Sequence, residues 1–120
     1  MNQPHKLKVD IINRQKTLPV PCKLIRRAIG SAYEGLNATG EVEVVVVEDE
    51  EMAALNEEFL SHSGPTDVLA FHYPEETVQD EIIVNADYAV RESAKRGHPA
   101  ESELVLYVVH GALHVNGYDD

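Results

Sequence analysis

This chain predicts an α/β (α+β) domain: a four-stranded mixed sheet covered by helices. Three observations carry that expectation. Segments with an apolar period near two residues alternate with segments of period near 3.6. The run from Val42 to Val47 is β-branched and almost wholly apolar, as suits a strand buried on both faces. Strands and helices interleave rather than forming separate blocks, which implies a layered domain. At 120 residues the length fits a single domain, 1–120.

The elements follow in order. Residues 6–13 alternate well enough for a first strand. Pro19 and Pro21 then punctuate the chain, and Pro21 suits the first turn of a helix. Leu24, Ile25, Ala28, Ile29, Ala32 and Leu36 recur at helical spacing, giving an amphipathic helix over about 21–36. Residues 37–40 form a turn, and the valine strand covers 42–47. Asp49 is expected to cap a second helix with Met52, Leu55, Phe59 and Leu60 on its apolar side. Residues 61–65 end it. A short strand is expected over 67–72, a connecting loop over 73–80 and another strand over 81–85. Residues 86–96 read as a helix closed by Gly97. The last helix starts near Pro99. It carries Leu104, Val105, Val108, Val109 and Ala112, and is expected to be buried.

Composition bounds the function. A single cysteine, Cys22, excludes an intramolecular disulfide framework and fits a reducing compartment. No run approaches the length of a membrane span, and the N-terminus leads into no apolar stretch of signal-peptide length. A cytoplasmic, soluble protein is expected. Net charge is −11, yet residues 1–27 carry +6 and residues 28–120 carry −17. Phosphate contacts depend on a local basic surface, not on the charge of the whole chain. Lys23, Arg26 and Arg27 are therefore candidate substrate-binding residues; the competing reading is a solvated helix face.

The chemistry lies at the C-terminal end. His110 and His114 sit four apart, Gly117 follows three residues later and Asp120 three after that. Positions i and i+4 share a helix face with Cβ atoms roughly 5–6 Å apart, close enough for two imidazoles to bind one metal ion. Gly117 can take positive φ and end the helix. Asp120 then closes a third corner. The spacing is that of the long zincin pattern H-E-x-x-H-x-x-G-x-x-H, with Gly111 in place of the glutamate and Asp120 in place of the last histidine. Without the glutamate the peptidase general base is missing. A set of His110, His114 and Asp120 leaves a fourth position of a Zn²⁺ ion open to water, the catalytic arrangement. The competing reading is a buried helix with two incidental histidines. Burial of unpartnered imidazoles on an apolar helix is costly, which favours the metal.

Three blocks together resemble the bacterial YbeY family of rRNA maturation factors, described as metal-dependent endoribonucleases. Leu55-Asn56 with the run Pro65 to Phe71 is similar to the family's L-N and T-D-V-L-S-F blocks. Residues 80–84 are similar to its G-[DE]-I-V-I strand, and residues 110–119 to its H-G-x-L-H-L-x-G-Y-D segment. The resemblance implies an endoribonuclease of rRNA processing holding one zinc ion per chain. It puts His114 at the catalytic centre, and makes RNA and the small ribosomal subunit the expected partners. Three positions depart from it. Asp120 replaces the third histidine. Leu60 stands where the family has a functional arginine, leaving Arg91, His62 or the basic N-terminal helix to replace it. The chain also stops at Asp120, where the family continues for a further helix. Two rivals are a metal-dependent hydrolase of a small substrate and a non-catalytic ribosome-associated binding module. Thr66 and Asp67 are read as turning the chain into a strand, and His72 and His98 as exposed loop residues.

Overall fold

The computed structural model describes residues 6–118. The element order is β1 (Leu7–Asn13), α1 (Cys22–Gly35), β2 (Gly40–Val47), α2 (Asp49–Leu60), β3 (Val68–His72), β4 (Val78–Asn85), α3 (Ala86–Arg96) and α4 (Ala100–Val115). The four strands form one sheet in the order β1-β2-β4-β3. β1 and β4 run parallel to β2, with Ile11 opposite Val44 and Val44 opposite Ile82. β3 closes the far edge antiparallel to β4, with Ala70 opposite Ile82. The sheet is therefore mixed, as expected. Among the described residues no helix is long and apolar enough to cross a membrane.

Strand alternation divides the core in two. Val42, Val44, Val46, Ile82 and Val84 pack with Ile25, Ile29 and Tyr33 of α1, Ala86 and Ala89 of α3, and Leu104, Tyr107, Val108 and Ala112 of α4. Val45, Val47, Leu69 and Ile83 point the other way, against Met52 of α2. Successive side chains of a strand alternate faces, so a strand covered on both sides must be apolar throughout. Val44 through Val47 are at most 2% exposed, which is why that run shows no polar alternation.

Several expectations are corrected. Asp49 does not cap α2. Glu48 holds that position without a side-chain cap, and the Asp49 carboxylate instead accepts hydrogen bonds from Asn85 and Arg91. Of the apolar side of α2, Met52 is buried, but Phe59 and Leu60 are 52% and 45% exposed at the helix end. β4 begins at Val78, so residues 78–80 belong to the strand and not to the preceding loop. Asp80 is buried there, accepting a hydrogen bond from the Tyr33 hydroxyl (2.6 Å) and pairing with His72 Nδ1 (2.6 Å). Burial first, and then the Asp80 carboxylate, hold the Tyr33 phenol in its neutral form.

A buried charge fixes the start of α4. Glu103 has no exposed surface and accepts hydrogen bonds from Arg96 (2.8 Å) and from the His98 ring. His98 is thus tied to the α3–α4 junction and not simply a solvated loop residue. Burial opposes ionisation of Glu103, but the His98 hydrogen bond and the Arg96 charge outweigh it and hold the carboxyl below its ordinary value. A depressed carboxyl pKa contributes stability above the unfolded-state value, and that stability is lost as pH falls through the folded value. Glu103→Gln is therefore expected to melt below wild type at neutral pH. The gap should close as pH falls from neutral through the folded-state value of Glu103, where the wild-type carboxyl is itself protonated. Parallel thermal melts across that range check this; a gap independent of pH would contradict it.

Candidate metal and substrate cleft

His110 and His114 lie on one stripe of α4 and open onto one cleft of about 290 Å³. Its other walls are residues 67–71, which include all of β3 but its last residue, with Gly111 and Leu60. Both histidines are exposed. The expected burial penalty on the imidazoles therefore does not arise. Helix α4 is buried through Leu104, Tyr107, Val108, Gly111 and Ala112, and the histidines form its open margin.

Gly111 sets how close that margin comes to the sheet. A Cβ at Gly111 would lie 2.6 Å from Ile82 Cγ2 and 3.3 Å from Val68 Cγ2. Real Cβ atoms do not tolerate the first contact, so only glycine lets α4 pack this tightly on β4 and β3. The missing zincin glutamate is thus a packing requirement as well as an absent base. The helix ends in a Schellman motif. The Tyr118 N–H reaches the Leu113 carbonyl (3.0 Å), the Gly117 N–H reaches that of His114 (3.0 Å), and Gly117 takes φ +93°. Gly117 therefore ends the helix as expected, directly beyond the second histidine.

The facing wall is built by the Leu55-Asn56 and Thr66-Asp67 blocks. Asn56 is buried and donates to the Gly64 carbonyl (2.9 Å), closing the loop after α2. Asp67 accepts from the Val68 N–H (2.8 Å) and from Thr66, which turns the chain into β3. Asn85 clamps the same turn through the Thr66 carbonyl (3.1 Å) and caps α3 through Tyr88. Asp67 also lines the cleft, so its turn-forming role does not remove it from the site.

Asp120 lies outside the described residues. Among the described residues no group of three or more His, Cys, Asp and Glu side chains is gathered as metal ligands. The two histidines share one helix face at i, i+4 spacing, which suits a pair of metal ligands. The basic residues fall on other surfaces. Lys23, Arg26 and Arg27 are exposed, but none of them lines the histidine cleft. Arg26 donates to the Val9 carbonyl of β1, whereas Arg27 borders a groove between α1 and α4. Arg91 does not replace the arginine absent at Leu60, because its guanidinium is held by Asp49 and lies over the Tyr88 ring. Leu60 itself lines the cleft.

The family model described as Endoribonuclease YbeY matches residues 10–120. This chain belongs to the YbeY family. Similar YbeY proteins include an endoribonuclease YbeY from Rhodopirellula baltica, 38% identical, covering 82% of this chain and 53% of that protein. One from Thermotoga petrophila is 39% identical over 81% of this chain and 59% of its own. One from Geobacter sulfurreducens is 31% identical over 94% and 81%. The chain spans little more than half the length of the first of these YbeY relatives. The solution structure of TM1509 from Thermotoga maritima superposes with a TM-score of 0.64 at 30% identity, covering 92% of this chain and 73% of that one. Sequence reasoning places His110 and His114 on one helix face, as the structure does, and reads the Thr66-Asp67 turn. It misses Phe71 as a wall of their cleft, and the exposure of Phe59 and Leu60 is the signal it lacks.

Proposed function

We propose that this chain is a metal-dependent endoribonuclease of rRNA processing, and that His110 and His114 hold its zinc ion with Asp120 as third ligand. The observation that carries the reading is the pairing of the two histidines on one open cleft, in a chain of a family whose members are named endoribonucleases. The other residues of the cleft have definite tasks. Helix α4, locked by Gly111 and the Schellman turn, fixes the backbone from which both imidazoles project. Leu60, Leu69, Ala70 and Phe71 give the cleft apolar walls that limit water around a bound phosphodiester. When bound, a zinc ion supplies a water of lowered pKa and a positive charge for the phosphoryl oxygens. His114 is the catalytic residue of this reading, acting as a ligand at the reacting centre. The small ribosomal subunit is the proposed partner and the cytoplasm the proposed compartment.

The decisive assay is cleavage of a single-stranded rRNA fragment by metal-replete and zinc-depleted protein. Cleavage that survives depletion contradicts the reading. The rival hydrolase of a small substrate gains from the separation of the basic residues from the cleft. Replacing Lys23, Arg26 and Arg27 together with Gln tests it. If these side chains neutralise RNA phosphates, the slope of log affinity against log salt falls by up to about 2 units, near 0.7 for each single-strand phosphate no longer neutralised. An unchanged slope with unchanged cleavage would assign these side chains to a solvated face.

A further inference from the structure

Beside the histidine cleft lies a strip of three aromatic side chains, two exposed and one half-buried. Phe59 and Phe71 approach with ring centroids 5.4 Å apart, and Phe71 stacks on Tyr73 at 6.2 Å with an interplanar angle of 21°. Phe59 is 52% and Tyr73 37% exposed. Phe71 and Leu60 line the cleft itself, so the strip is continuous with it. The chain has only two phenylalanines, and both are here. A single exposed apolar residue needs no explanation, whereas a contiguous strip beside a cleft points to a partner.

Charge narrows the kind of partner. Lys23, Arg26 and Arg27 do not line the cleft, and Glu57, Glu58 and Glu81 flank the strip's own elements. Affinity on the strip itself therefore does not come from these Lys and Arg side chains. Unpaired nucleobases supply the other source, because every base has a π face and stacks on aromatic rings without regard to sequence. A duplex keeps its bases stacked inside and so offers the rings no free π face. The Tyr73 hydroxyl donates to Glu81 (3.2 Å) at the edge of the strip, and the ring, not this hydroxyl, offers the π face.

Building on the endoribonuclease reading, we propose that Phe59, Phe71 and Tyr73 form a stacking platform for bases of single-stranded RNA, leading the strand over Leu60 into the histidine cleft. The platform selects single strands by burying bases, and it adds no dependence on salt.

The test is binding of an end-labelled oligoadenylate of about eight nucleotides, followed by fluorescence anisotropy. Phe59→Ala and Tyr73→Ala are each expected to weaken binding roughly 5-fold to 100-fold, while the ring-preserving Phe59→Tyr and Tyr73→Phe stay within about 2-fold of wild type. The salt slope should not change in any of the four, since none of these side chains neutralises a phosphate. Phe71 is left intact because it also packs on the core. Alanine variants that bind like wild type would overturn the platform and leave the strip as a surface for an apolar protein partner. Equal affinity for a duplex of the same length would overturn it too. A wild-type chain that binds no RNA at any salt concentration would remove the endoribonuclease reading itself, and the platform with it.

Discussion

Replacing His110 or His114 with alanine is expected to remove bound zinc and abolish RNA cleavage while leaving the fold intact. Elemental analysis should fall from about one metal per chain to near none, because either substitution leaves too few protein ligands for a stable site. Cleavage should drop by at least about 100-fold, since changes at residues that merely support ligands already cost 10–100-fold. The fold should survive because both side chains are exposed on the margin of α4, and their removal opens no core cavity. Surface substitutions of this kind usually change stability by no more than about 0.5 kcal/mol. Full metal content in both alanine variants would move the metal elsewhere on the chain.

Gly111→Ala is expected to destabilise the domain and shift the histidines at once. The added Cβ would stand 2.6 Å from Ile82 Cγ2. That methyl branches directly from a fully buried side chain on an inner strand and cannot swing away. Alanine's better helix propensity returns about 1 kcal/mol, while overpacking of a dense core costs about 1–3 kcal/mol and more when the backbone must move. The net loss is up to about 2 kcal/mol before any backbone shift, a fall in melting temperature of up to roughly 8 °C. A double-mutant cycle identifies the contact. Adding Ile82→Ala to Gly111→Ala should cost less than the two single changes summed, because the first removes the atom the second strikes. Strict additivity, or a rise in melting temperature for Gly111→Ala, would contradict the packing argument. The larger Gly111→Glu, which restores the zincin glutamate, is expected to unfold α4's packing rather than create a peptidase.

Much of the fold is legible because each strand and helix carries its own period. The valine strand, the Gly97 stop and the amphipathic α1 all depend on local pattern, and local pattern is what sequence displays. The errors fall where tertiary contacts decide. Val78 to Asp80 read as loop because Asp80 is charged, yet Tyr33 and His72 arrive from distant elements to satisfy it within β4. Asp49 has the chemistry of a cap but is drawn to Asn85 and Arg91 instead. The expectation that apolar surroundings would bury the histidines fails because an apolar helix still needs one margin facing out. His110 and His114 occupy that margin. Glu103 carries a readable signal: an acid four residues before Tyr107 on the same helix face. Its partners Arg96 and His98, however, lie across the α3–α4 junction. Leu60 is visible in the sequence as a departure from the family pattern, but only the fold puts it in the cleft wall.

In the proposed site the paired histidines of α4 hold the metal. X-ray absorption at the zinc edge on the metal-loaded protein tests it most directly. The account predicts a first shell of nitrogen and oxygen at roughly 2.0–2.1 Å, with the outer-shell scattering of two imidazole rings and no sulfur. A shell near 2.3 Å would mean thiolate ligation, which points to Cys22 and not to α4. That result, or a spectrum without imidazole scattering, would contradict the account.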